Sequence, residues 1–418
     1  MPPGRRGKRG NQAPMEGSGR TIDIFPDGVL QHILGFLPAR DAVRTCVLAR
    51  RWCDLWMFAT GLRIIGNEDD DMGELREFVD HLLLNRGTAP LKHSSSGSTV
   101  QVLRLLLTGN CDHFNLRDQH LVSRHLMKLE LAGVVVTESL LDLMGCPKLE
   151  QLEIYGSDLY AKKISSESLK YLSIASCRFS HSFRTHIHAP SLVSLLLDHN
   201  RYNFPVLESI PSLVDASIRI VGNSVDTCVY CDSGDCNSCQ GAIPGNCNCI
   251  LLEGLSKAKH LALTAESKTS IFKRDLRRCP TFSKLKTLLL NDYLSLGLDL
   301  DAITCILKHS PVLEKLTLEL FPKGSHHKME IKGSYSPPVQ TIAAISEHLK
   351  MVEVKCEVVD ERVYKVLKLL CTFSILNRCF TYIVDYGKHS GNITPKEVMN
   401  STHSLCGIWS LRHTITDI

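Results

Sequence analysis

The chain has 418 residues, 44% hydrophobic and 22% charged, which suits two or three folded domains and excludes a mostly disordered protein. Its 48 basic and 44 acidic side chains leave a formal net charge of +4, too small to favour nucleic-acid binding by bulk electrostatics. Apolar runs such as 103–107 fall far short of the ~20 residues that span a membrane, and the basic first residues lack the apolar centre of a secretory signal. An intracellular protein, nuclear or cytoplasmic, is therefore expected, with its 17 cysteines present as free thiols.

Residues 1–21 read as a solvated basic tail, and the short run 5–9 alternatively as a nuclear address. Residues 22–60 carry a helical pattern. Val29, Leu30, Ile33, Leu34 and Leu37 recur at helical spacing, with Pro26 before them and Pro38 after them. Asp41 stands where an N-cap belongs, ahead of Ala42, Val43, Cys46 and Val47. Trp52, Leu55 and Trp56 share one face of a third short element. So small a module cannot bury all these apolar groups alone, which leaves either a partner surface or a cap on whatever follows.

The order of the motifs is specific: Phe25-Pro26-Asp27, Leu30, Ile33-Leu34, Leu37-Pro38, Ala42-Val43-Arg44-Thr45, Val47-Leu48, Arg50-Arg51-Trp52 and Leu55-Trp56. This pattern resembles a plant F-box, departing from it in Phe25, where leucine is usual. The resemblance implies binding to a Skp-type adaptor and, through it, to a cullin scaffold. It also implies adaptor contacts by Phe25, Pro26, Leu30, Leu34, Leu37 and Trp52.

Residues 61–99 read as a helical linker and loop, with Leu75, Phe78, Val79, Leu82 and Leu83 on one helix face. The acidic run 68–71 and the polar stretch 93–99 are expected to be exposed loops. From 100 to 340 a unit L-x-x-L-x-L recurs. Clear copies are Leu126-Leu129-Leu131, Leu149-Leu152-Ile154, Leu169-Leu172-Ile174, Leu192-Leu195-Leu197, Leu285-Leu288-Leu290 and Leu313-Leu316-Leu318, with a weak one at Leu213-Ala216-Ile218. From Leu126 to Leu213 successive copies start 23, 20, 23 and 21 residues apart, within the leucine-rich-repeat range of ~20–29. Each unit predicts a short strand and a return segment, which must stack to bury its apolar side. An ordinary sheet of alternating strands explains the constant spacing less well.

The repeats resemble those that follow F-boxes in plant proteins, although they lack a regular asparagine after each strand. The expected architecture is α/β: an N-terminal three-helix F-box module, then a leucine-rich-repeat solenoid with a curved parallel sheet and helical or irregular returns. Side chains flanking the strand leucines are expected on the concave side: Lys128, Glu130, Gln151, Glu153, Tyr155, Tyr171, Ser173, Asp198, Asn291, Lys315, Thr317 and Glu319. Their mixed charge and tyrosines suit a protein target, though a solvated face without a ligand reads equally from the residues.

A Cys-rich insertion at 222–250 interrupts the repeats. Cys228, Cys231, Cys236 and Cys239 form two Cys-x-x-Cys pairs, which suggest zinc, but only four residues separate the pairs where zinc ribbons leave ~15–20. An insertion rich in turn residues is the plainer reading, with metal binding or redox chemistry as alternatives. Residues 341–375 predict a strand at 349–354 and a helix through Val363, Val366, Leu367 and Leu370 behind Asp360. This pair resembles the start of the FBD-type region of plant F-box proteins. Residues 376–418 show no clear period.

No nucleophile elbow, phosphate loop, metalloprotease motif or dinucleotide fingerprint occurs. Neither a catalytic residue nor a cofactor is expected, and neither nucleic acid nor membrane is expected as a partner. The expectation is a non-catalytic substrate-recognition subunit of a ubiquitin ligase, holding an adaptor at one end and a target protein along the repeats. The alternative is an interaction scaffold that uses the repeats alone.

Overall fold

Alternation of apolar and polar side chains over five or six residues makes a strand with one buried face. The chain repeats that device along a twelve-stranded sheet. The computed structural model describes residues 22–67, 69–85, 100–108, 121–220, 251–265, 275, 279–291, 300–320, 348–356, 366, 370 and 380–384. Helices α1 (Asp27–Leu34) and α2 (Ala39–Arg44) open the chain, followed by three 3-10 turns, Thr45–Val47, Arg50–Trp52 and Leu55–Phe58. Strand β1 (Gly61–Gly66), helix α3 (Met72–Asn85) and strands β2 (Val102–Leu107), β3 (Lys128–Ala132) and β4 (Val135–Thr137) come next. After α4 (Glu138–Leu141) come β5 (Gln151–Tyr155), β6 (Asp158–Tyr160), β7 (Lys163–Ser165), β8 (Tyr171–Ala175), β9 (Arg178–Phe179) and β10 (His186–His188). Strands β11 (Ser194–Asn200), β12 (Val206–Leu207) and β13 (Asp215–Ile220) precede α5 (Leu252–Leu255), β14 (His260–Ala265) and β15 (Thr287–Asn291). The last elements are α6 (Leu300–Lys308), β16 (Lys315–Leu320), β17 (Met351–Cys356) and β18 (Phe380–Val384).

One sheet joins β1-β2-β3-β5-β8-β11-β13-β14-β15-β16-β17-β18 in sequence order, every pair parallel. Parallel neighbours in chain order with a return between them make a solenoid, and the α/β leucine-rich-repeat architecture holds. The returns are not all helical. Strands β4, β6 and β9 form a small parallel sheet of their own, and β7, β10 and β12 another. From β3 to β17 the second and fourth residues of the main-sheet strands form two continuous buried rows, with Leu129, Leu152, Leu172 and Leu195 in one and Leu131, Ile154, Ile174 and Leu197 in the other. Each such side chain contributes about 1.5–3 kcal/mol by leaving water.

Three expectations change. Residues 61–66, assigned to a helical linker, form the first strand of the sheet, because Leu62 and Ile64 alternate with Arg63 and Ile65 and bury on Leu103 and Leu105. Residues 380–384 add a twelfth strand in a stretch without legible period. Asp41 is no N-cap: α2 starts after Pro38, whose fixed φ suits a helix start, and Asp41 falls in the first turn. In the acidic run, Asp71 caps α3 by accepting from the backbone N–H groups of Gly73 (2.7 Å) and Glu74 (3.2 Å). Asp70 pairs with Arg40 at 2.7 Å. Residues 1–21, the Cys-rich insertion and most of 376–418 lie outside the described residues.

The missing asparagine has a structural answer. The residue just after the strand takes a left-handed conformation at Gly133, Gly156 and Ser176, with φ of 67°, 55° and 55°, and so does the equivalent His199 (51°), at the irregularity near the end of β11. One residue further on, Ser157, Cys177 and Asn200 point inward and bond to backbone of the unit before. Ser157 Oγ accepts from the Val134 N–H at 3.2 Å. The Cys177 thiol donates to the Ile154 carbonyl at 3.5 Å. Asn200 does both, donating to Ile174 O at 2.8 Å and accepting from Cys177 N at 2.9 Å. Ser157 serves the equivalent N–H, Cys177 the equivalent carbonyl and Asn200 both, so three different side chains share the task of satisfying this buried backbone.

The helical module is fused to the solenoid. Its α1 packs on the turn Leu55–Phe58 and its α2 on β1, and Pro38 forms a bridge with Arg63. Backbone meets backbone at Gly35 and Gly61, where a Cβ on Gly61 would stand 2.5 Å from the Gly35 carbonyl oxygen.

Two outcomes follow from these contacts. Asn200→Ala leaves a buried N–H and a buried carbonyl unsatisfied and is expected to cost about 1–3 kcal/mol, read as a lower urea midpoint at unchanged slope. Gly61→Ala overpacks the junction against backbone that has no room to give and is expected to cost about 1–3 kcal/mol, with chymotrypsin opening the chain near residues 55–61 faster than in the parent. An unchanged urea midpoint or cleavage rate would show the corresponding contact to be slack.

Candidate binding surfaces

Helix α1 turns Leu30 and Leu34 inward, both under 3% exposed, together with Trp52 at 3%. These three, expected to face an adaptor, instead hold the module's own core with Leu55 and Trp56. Leu37 is half-buried against that core. Phe25 and Pro26 are exposed. The surface surplus lies one residue back along the helix, at Val29 (42%), Ile33 (39%) and Phe36 (60%), with Phe25 at 46%. Beyond the helices, Val47, Leu48 and Phe58 are exposed as well. Contiguous apolar exposure of this kind marks an interaction site. Arg51 clasps the start of α1, donating to Asp27 Oδ1 at 2.6 Å and to the Phe25 carbonyl at 2.6 Å, so Phe25 sits on a fixed support.

On the sheet's open face the odd strand residues line up in register. The middle row runs Arg104, Glu130, Glu153, Ser173, Leu196, Ser217, Ala262, Leu289, Thr317 and Glu353. Charge collects at its two ends. At one end Arg104 and Lys128 each hold Glu130 at 2.6 Å, and Lys128 reaches Glu153 at 3.1 Å. Gln151 also donates to Glu153. At the other end Lys315 meets Glu353 at 3.1 Å and Lys355 meets Glu319 at 3.4 Å.

Between the two ends the short side chains of Ser217 and Ala262 lie between Leu196 and Leu289. They leave a trough of about 530 Å³ that Asp215, His260, Thr287 and Lys315 also line. The twelve residues expected on one continuous face thus fall into separate groups. Lys128, Glu130, Gln151 and Glu153 form one network, and Lys315, Thr317 and Glu319 belong to the other end. Tyr155 and Tyr171 stand exposed, Ser173 is half-buried, and Asp198 pairs with Arg219 at 3.4 Å. Asn291 closes β15 beside Glu319. Thr317 needs correction: it is 5% exposed, its hydroxyl donating to Glu353 at 3.2 Å. Of the trough residues, Lys315 and Thr317 were expected on this face, whereas Leu196, Ala262 and Leu289 were not, because they look like core.

The charged ends are self-neutralised. Burial works against the charge of Lys128, but Glu130 and Glu153 outweigh it and hold its pKa above the usual lysine value. Burial likewise disfavours ionised Glu130, and Lys128 and Arg104 overcome it and pull the carboxyl below its ordinary range. Glu353 follows the same pattern under Lys315 and Lys355. A partner docking here meets paired charges that act as shape and hydrogen-bonding groups more than as a bare field.

The thiols divide by environment. Burial raises Cys146 to about 11 and Cys177 to about 12, which makes them inert structural groups. Cys305 falls to about 6, chiefly because the Cys279 thiol hydrogen-bonds to it, with His309 and Lys308 adding to the effect against burial. Cys279, Cys305 and His309 are the one group of three potential metal ligands that comes together among the described residues. Cys228, Cys231, Cys236 and Cys239 lie outside those residues. The signal for the cluster was available as Cys305-x-x-x-His309, the i, i+4 spacing of one helix face.

No family model matches the chain. Curated relatives do. An F-box/LRR-repeat protein of Arabidopsis thaliana is 26% identical over 341 residues, 74% of this chain and 75% of that protein. The Meiotic F-box protein MOF of Oryza sativa subsp. japonica is 28% identical over 400 residues, 80% of each. An FBD-associated F-box protein of Arabidopsis thaliana is 40% identical over 82 residues, 19% of each. No helix among the described residues is long and apolar enough to cross a membrane. With its helical module bearing the F-box motifs and the parallel leucine-rich solenoid joined to it, the chain is similar to plant F-box/LRR-repeat proteins, and over about a fifth of its length to FBD-associated F-box proteins.

Proposed function

We propose that the chain is the substrate-choosing subunit of an SCF-type cullin–RING ubiquitin ligase. The exposed apolar face of α1 binds a Skp-type adaptor, and the open face of the solenoid binds the target protein. The observation that carries this reading is the apolar set Phe25, Val29, Ile33 and Phe36, which the module's own core leaves in water on a helix held fixed relative to the first strand. The adaptor contacts are then Phe25, Pro26, Val29, Ile33 and Phe36, with half-buried Leu37 at their edge. Leu30, Leu34 and Trp52 support them from beneath.

Target contacts fall on both charged ends of the open face, with Tyr155 and Tyr171 as the large exposed aromatics that anchor interfaces. The trough between the ends accepts a protruding side chain or short segment. The chain supplies no nucleophile in this scheme. It holds the target's lysines near a ubiquitin carrier brought by the rest of the complex, so its catalytic contribution is effective concentration. The rigid junction at Gly35 and Gly61 serves that role, because a target held on a loose tether spends less time within reach. The alternative, a repeat scaffold acting without a ligase, has no use for the α1 face.

Co-purification with a recombinant plant Skp-type adaptor tests the reading. Wild type is expected to hold the adaptor. Ile33→Asp with Phe36→Asp is expected to lose it by more than about 100-fold, since each change places an unpaired charge in a desolvated apolar contact, while circular dichroism stays unchanged because both side chains are exposed. Leu34→Asp is expected to unfold the module instead. Wild type that binds no Skp-type adaptor would leave the scaffold as the better account.

A further inference from the structure

Residues that the repeat pattern does not need have gathered on the back of the solenoid. Cys279 lies in the return between β14 and β15, and Cys305 and His309 in the next return, between β15 and β16. One ligand atom from each of the three lies within 4.8 Å of the others. Two thiols and one imidazole are the donor set that zinc takes up in Cys₂His sites, which leave one position open. Zn–S and Zn–N bonds of about 2.3 and 2.0 Å at a tetrahedral angle place sulfur and nitrogen about 3.5 Å apart. Cys305 Sγ lies 3.9 Å from His309 Nδ1, which sets the imidazole ring beside the thiol.

The site is also built. Cys305 and His309 stand at i and i+4, over one flank of α6 and its last turn. The other flank is anchored by Ile303, Ile306 and Leu307, each 2% exposed or less. The Cys279 side is tied to the helix end by the Phe282 N–H, which donates to the His309 carbonyl at 2.8 Å. Phe282 itself is fully buried, and so is Pro280. His309 Nδ1 stands 2.8 Å from the Cys305 carbonyl oxygen. With the proton on Nδ1, that bond orients the ring and leaves the Nε2 lone pair for a metal, the outer contact that ligating histidines use. All three side chains are half-buried, so a cation has an entry path, and an exposed Lys308 is the cation nearest by sequence.

We propose that Cys279, Cys305 and His309 form a zinc site that staples two consecutive returns of the solenoid, with water in the fourth position. On binding, both thiols lose their protons to solvent and zinc stays Zn²⁺, so no redox partner is needed. The bond fixes the spacing of the returns behind β15 and β16, the strands that carry Thr287, Leu289 and Lys315 into the trough on the opposite face. The site stands independently of the ligase reading.

The test uses the full chain with Cys228, Cys231, Cys236, Cys239, Cys247 and Cys249 all replaced by serine, so that no thiol of the insertion can supply the metal. Purified under reducing conditions and loaded with ZnCl₂, this protein is expected to keep one zinc per chain after gel filtration and to melt higher than in EDTA. CoCl₂ in its place is expected to give thiolate-to-cobalt charge-transfer bands. Adding Cys305→Ser, or separately His309→Gln, is expected to weaken zinc by at least about 100-fold, since even outer contacts are worth 10–100-fold. The melting point in EDTA of a folded variant should match that of its parent. No retained zinc in the parent, or undiminished affinity in both variants, would overturn the proposal. If one variant fails to fold, the other decides.

Discussion

The structure depends on stacking apolar rows that no single repeat can bury by itself. A unit such as 149–154 offers Leu149, Leu152 and Ile154, and all three reach at most 1% exposure only because β3 and β8 lie on either side. The parallel backbone ladder holds that spacing along the whole sheet. Where the rows end, some other element has to cover them. At the start the helical module does so, with Ala39, Ala42 and Trp56 joining the buried cluster that continues through Leu62 and Ile64.

That junction joins the helical module to the sheet backbone to backbone. The face of α1 that projects Ile33 and Phe36 belongs to the same rigid piece as the strand that opens the solenoid, because Gly35 and Gly61 let two backbones touch. A side chain at either place would force them apart. Exposed apolar groups on a fixed support bind with little ordering cost, which is what the proposed adaptor contact asks of α1.

Sequence and structure diverge wherever the chemistry of a position is shared among unlike residues. The helix of the linker, the weak repeat at Leu213-Ala216-Ile218 and the strand expected at 349–354, found at 351–356, were all readable, since apolar period survives substitution. The position after each strand was not, because Ser157, Cys177 and Asn200 do one job with three side chains. The face of α1 that stays in water lies one residue from the one expected, for a related reason. A helix with apolar groups at Val29, Leu30, Ile33 and Leu34 shows a wide stripe, and only packing against the turn Leu55–Phe58 decides which half faces inward.

By itself the sequence determined the class of architecture, the order of its modules and most strand positions, because hydrophobic period is local and each unit carries its own copy. Only the tertiary structure decided which apolar residues remain in water, that the open face splits into two charged ends around a trough, and that Cys279 meets Cys305 and His309. Those outcomes depend on neighbours tens of residues away: register places Ser217 beside Ala262, and a backbone hydrogen bond brings residue 282 to residue 309. Side-chain size and long-range pairing settle such contacts, and neither leaves a period in the chain.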